Sequence, residues 1–135
     1  MKTIKGNVIY FHDPMDEPEP EMRIIQREFH DAGFELPSII ETDLPPFMGA
    51  SNERGYDILL FDWGGMSLGN SLLSHFCEEI LDEALECPNR TYIMTSYFTK
   101  EAMDEAKESF DKANGSVPPN VFLSVKDYCN YLSKE

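Results

Sequence analysis

The stretch Asp57-Ile-Leu-Leu-Phe-Asp62-Trp-Gly-Gly-Met66 constrains the fold more than any other. Four consecutive apolar residues, Ile58 to Phe61, stand between two aspartates, and glycines follow at once. A short apolar run bounded by turn residues reads as a strand buried on both faces, the pattern of a central strand in a parallel sheet. In open α/β sheets ligands bind just beyond the carboxyl ends of the strands. Asp62 therefore stands where chemistry is expected.

The flanking chain supplies neighbours for that strand. Gly6 to Phe11 reads as a first strand, ending at His12-Asp13-Pro14, and an acidic, proline-punctuated loop follows to Glu21. From Glu19 the apolar spacing turns helical: Met22, Ile25, Phe29 and Ala32 recur at three and four residues, with Ile24 widening the stripe. Pro20 suits a first turn, and Gly33 a position just past the helix end. Phe34 to Ile40 predicts a second strand, edge-like or late-starting because of Pro37. After an irregular stretch with room for one short helix over Phe47 to Glu53, the opening strand is the third.

The second half repeats the alternation. Leu72, Leu73, Phe76, Ile80, Leu81, Ala84 and Leu85 mark an amphipathic helix ending near Cys87-Pro88-Asn89. Thr91 to Tyr97, rich in β-branched and aromatic residues, is the fourth strand. Thr99 opens a further helix with Ala102, Ala106 and Phe110 inward. Val121 to Val125 is the fifth strand, and Lys126 to Leu132 a closing helix. Strands alternating with helices over short connections predict an α/β fold: a doubly wound, five-stranded parallel sheet with helices on both faces, flavodoxin-like. At 135 residues this is one domain, residues 1–135.

Charge narrows the partners. A formal net charge of −14 opposes binding to nucleic acid or to anionic lipid, whose contacts need Lys and Arg. It suits a cation site or a basic protein partner. Three cysteines, Cys77, Cys87 and Cys129, lack Cys-x-x-Cys spacing and point to a reducing, cytoplasmic location, with Cys77 and Cys129 as small core residues. No stretch has the length of a signal peptide or a membrane span.

A parallel sheet delivers the last residues of every strand to one rim. Expected there are His12, Asp13 and Asp16, then Glu41 and Asp43, Asp62, Thr95 and Ser96, and Ser124 with Lys126 near. Converging carboxylates repel one another, and a hard cation such as Mg²⁺ relieves that repulsion. A glycine-rich phosphate cradle is missing after the first strand, which weakens a nucleotide- or flavin-binding enzyme of the same architecture. Gly64-Gly65 is read as permissive, turning strand into helix, and Trp63 as a lid over the core edge. His12 is expected to be a hydrogen-bonded surface residue.

Three stretches resemble the receiver domain of two-component response regulators. Glu17-Pro-Glu-Pro-Glu-Met-Arg-Ile-Ile-Gln-Arg-Glu-Phe-His-Asp-Ala-Gly-Phe34 is similar to that family's first helix, Asp57-Ile-Leu-Leu-Phe-Asp62 to its third strand, and Ile93-Met-Thr95-Ser-Tyr97 to its fourth. The resemblance implies that Asp62 accepts a phosphoryl group from phosphohistidine or a small phosphodonor. It implies Mg²⁺ held by Asp13, Asp16, Asp62 and the backbone carbonyl of Gly64, with Thr95 and a lysine on the phosphoryl oxygens. The partner would be a histidine kinase or a downstream protein target, and the chain a phospho-accepting regulator rather than an enzyme.

The chain departs from the family pattern in three places, one of them the loop Lys112 to Asn120, which is longer than the family's tight form. His12-Asp13 replaces two adjacent acids, and Lys126 falls one position beyond the expected lysine, with no proline after it. These mark a divergent receiver. The alternative is a pseudo-receiver, a non-catalytic interaction module whose acidic surface docks a partner.

Overall fold

A computed structural model describes residues 2–12, 18–43, 56–62, 79–95, 108 and 118–134. Its strands are β1 (Lys2–Thr3), β2 (Val8–His12), β3 (Phe34–Glu35), β4 (Ile39–Asp43), β5 (Ile58–Asp62), β6 (Thr91–Thr95) and β7 (Val121–Phe122). The helices are α1 (Pro18–Asp31), α2 (residues 79–86) and α3 (Val125–Ser133). The helix expected over Phe47 to Glu53, the loop from Trp63 to Ser71, the first turns of the helix from Leu72, and Cys77 lie outside the described residues. So does the helix from Thr99, apart from Glu108, which is helical.

Five strands form one all-parallel sheet in the order β4-β2-β5-β6-β7, while β1 and β3 pair separately. The apolar run Ile58 to Phe61 sits in the middle, as its composition requires. Alternate residues go to opposite faces. Ile9, Phe11, Leu59, Phe61, Tyr92 and Met94 cluster with Ile80, Leu81 and Ala84 of α2. Val8, Tyr10, Ile58, Leu60 and Ile93 cluster with Ile25 and Phe29 of α1 and Val125, Tyr128 and Cys129 of α3. Cys129 is buried as expected, and burial, reinforced by the Glu28 carboxylate, pushes its thiol up to about 11.

Several boundaries differ from expectation, each for a local reason. The first strand runs Val8–His12, because Gly6 holds a positive φ of 119° and turns the chain before Asn7. The strand expected over Phe34 to Ile40 is two strands with different partners. Phe34–Glu35 pairs with β1 and Ile39–Asp43 with β2, and Pro37, which has no N–H to donate, lies between them. The fifth strand ends at Phe122, because Ser124 caps α3: its Oγ accepts from the Asp127 N–H at 3.1 Å. Val125 consequently opens the helix. Ile24 and Leu85, both assigned to apolar stripes, are 40% and 60% exposed.

Two glycines end up with left-handed backbones for different surroundings. Gly33 (φ 92°) follows α1 as a helix-terminating residue, and its N–H reaches the His30 carbonyl at 2.9 Å. A methyl group there would meet nothing within 4 Å. At Gly6 the same methyl would lie 2.8 Å from Asp57 Oδ2, the atom that accepts the Asn7 N–H at 2.8 Å. Gly33→Ala is expected to cost about 1 kcal/mol from backbone strain alone, and Gly6→Ala about 2–3 kcal/mol as the Asp57 clamp is displaced. Urea denaturation of the two variants checks the ranking, and equal costs would mean that the Asn7–Asp57 bond contributes nothing net.

Candidate functional site

The strand order sets where a site can form. Numbering the five sheet strands along the chain, the spatial order is 2-1-3-4-5, and the chain reverses its direction of growth between β2 and β5. The crevice beyond the carboxyl ends of those two strands is the topological switch point of such a sheet. His12 ends β2 and Asp62 ends β5. Each lies one residue past the paired Phe11 and Phe61, so their backbones are neighbours. On the outer sides, His12 pairs in register with Asp43, and Asp62 with Thr95.

Thr95 is fully buried, and its hydroxyl donates to the Phe61 carbonyl at 2.9 Å. This bond ties the ends of β5 and β6 together directly beneath Asp62. The hydroxyl's single proton is engaged there, and its lone pairs remain able to accept. Thr95→Val is isosteric but removes the donor, so the buried Phe61 carbonyl loses a partner. It is expected to cost about 1–2 kcal/mol in a urea titration. A loss no larger than a few tenths would mean the bond contributes nothing net.

His12 differs from the surface residue expected of it. It is 6% exposed, and its Nε2 lies 2.7 Å from Glu41 Oε2. Tyr10, two residues back on the same face, donates its hydroxyl to Glu21 Oε2 of α1 at 2.5 Å. The two contacts fasten β2 to β4 on one side and to α1 on the other. At that distance an imidazole N–H donates to the Glu41 carboxylate, a charge-assisted bond. The signal for this pair lay in the alternation of Tyr10 and His12, but the partner Glu41 follows only from the β2–β4 register.

The remaining expected residues are distributed as follows. Asp13, Asp16, Trp63, Gly64 and Ser96 lie outside the described residues. Asp43 and Asp62 are placed by their backbones, at the last positions of β4 and β5. Ser124 is engaged in capping α3 rather than ending a strand. Lys126 is exposed in the first turn of α3 and borders a surface cavity with Glu28, Asp31 and Cys129, alongside the last turns of α1. Among the described residues no three His, Cys, Asp or Glu side chains gather as a metal site, and no helix is long and apolar enough to cross a membrane. Comparison of the chain with family models, curated proteins and solved structures matched nothing.

Proposed function

We propose that the chain is a receiver-like signalling domain, doubly wound and flavodoxin-like, in which Asp62 accepts a phosphoryl group and a protein partner reads the result. The observation that carries this reading is the position of Asp62: last residue of the central strand, at the switch point, in register with buried Thr95. In the reaction a carboxylate oxygen of Asp62 attacks the phosphorus of a phosphohistidine. The P–N bond breaks, the imidazole leaves with the bonding pair and takes a proton, and an acyl phosphate forms. Such a transfer needs positioning and charge stabilisation more than covalent help. The carboxylates of Asp13, Asp16 and Asp62 and the Gly64 carbonyl would offer an all-oxygen donor set suited to Mg²⁺. When bound, the ion neutralises charge on the transferring phosphoryl oxygens.

The placement of Lys126 favours a second reading, the non-catalytic interaction module. Lys126 belongs to the first turn of α3, where it borders a cavity with Glu28 and Asp31, and not to a strand end at the rim. One experiment separates the two. The protein is incubated with Mg²⁺ and acetyl phosphate and weighed intact, and amide spectra are recorded with Mg²⁺ and beryllofluoride. Wild type is expected to gain one phosphoryl group and to shift amides around Asp62 and Thr95, and Asp62→Asn to do neither. No gain in wild type, or an equal gain in Asp62→Asn, leaves the interaction module standing.

A further inference from the structure

On the amino side of the sheet, away from the Asp62 rim, β1 and β3 border a cavity of about 280 Å³ against α3. Ile4, Phe34 and Tyr128 are buried along it, and Leu132 is half-buried. The exposed Lys2 and Lys5 also line it, and among the described residues neither is in an ion pair. Its volume is near the lower end of the range for small-molecule pockets.

The contrast with the rest of the chain gives the cavity a direction. Acidic residues outnumber Lys and Arg by 25 to 11, so most of the surface repels anions. Here Lys2 and Lys5 line one cavity together with Ile4, Phe34, Tyr128 and Leu132. We propose that this cavity binds a small organic anion, a carboxylate carried on an apolar body the size of one aromatic ring. The ring lies against Phe34, Tyr128 and Leu132, and the carboxylate meets Lys2 and Lys5. A neutral ring forfeits the lysines, and a bare carboxylate forfeits the apolar wall. The site is separate from the proposed phosphoryl site and stands whether or not Asp62 is phosphorylated.

Benzoate, benzamide and acetate serve as probes in amide-shift titrations of the full chain. Benzoate is expected to shift residues 2–5, Phe34 and Leu132, and to bind about tenfold more tightly than benzamide or acetate. Added salt weakens benzoate and leaves benzamide unchanged. The double variant Lys2→Gln with Lys5→Gln, altered only at exposed positions, is expected to bind benzoate about as weakly as benzamide. Benzamide binding as tightly as benzoate, a double variant that binds normally, or shifts confined to other residues would each overturn the proposal.

Discussion

Replacing Phe61 with alanine is expected to cost about 3–5 kcal/mol, a large part of the 5–15 kcal/mol that holds a domain of this size folded. Phe61 is fully buried at the centre of the sheet. Its ring stacks on Phe11 at 5.0 Å and 10°, and on Tyr92 at 6.4 Å and 12°, so one aromatic row crosses β2, β5 and β6. Deleting it empties the middle of the row, and rings anchored on separate strands cannot close the gap without moving the strands. The same backbone carries the carbonyl that accepts the Thr95 hydroxyl, and Asp62 follows immediately. Phe61→Leu retains most of the volume and is expected to cost less than about 2 kcal/mol. Urea unfolding followed by circular dichroism measures both variants. A loss under about 1.5 kcal/mol for Phe61→Ala would mean that the core collapses around the deletion and that the row is not rigid.

That central strand was also the easiest element to read. Ile58 to Phe61 needs no knowledge of its neighbours, since an unbroken apolar run can be satisfied only between two covered faces. Thr95 followed from the same logic, because β6 shows its β-branched and aromatic bias locally. Where elements meet, local signals mislead. Val121 to Val125 is apolar enough for a longer strand, yet Ser124 with Asp127 three residues on is a helix start, and the cap prevails because it satisfies an otherwise orphaned N–H. Phe34 to Ile40 has strand composition throughout, but which strand each half joins depends on β1 and β2, more than twenty residues back. The His12–Glu41 contact is non-local in the same way. It decides whether a histidine is a surface group or a buried strut, and nothing within five residues of His12 encodes it.

Asn120 shows the same dependence on distant partners, and Asn120→Asp is expected to cost about 3 kcal/mol near neutral pH. The Asn120 side-chain amide reaches three carbonyls, Ala84 at 3.0 Å, Cys87 at 3.2 Å and Arg90 at 3.0 Å. Ala84 lies in the last turn of α2, and Cys87 follows its end, where helices leave carbonyls without intrahelical donors. One side chain thus fastens the end of α2, the turn after it and the approach to β7, while the Asn120 carbonyl accepts the Tyr92 N–H at 2.9 Å. Asn120→Ala removes the donors and is expected to cost about 2 kcal/mol. Asn120→Asp does more, because an ionised carboxylate faces three carbonyl oxygens with no hydrogen to offer. That environment raises the pKa of the introduced carboxyl above its unfolded value of about 4. The folded state then holds the proton more tightly than the unfolded state, so the penalty is smallest below the unfolded pKa and grows as pH rises through the folded one. Urea midpoints of wild type and both variants at pH 4 and pH 7 test this. Asn120→Asp should be nearer to wild type at pH 4 and Asn120→Ala equally displaced at both. A penalty for Asn120→Asp that is constant across that range would mean that the carboxylate turns out to solvent and that the clasp is dispensable.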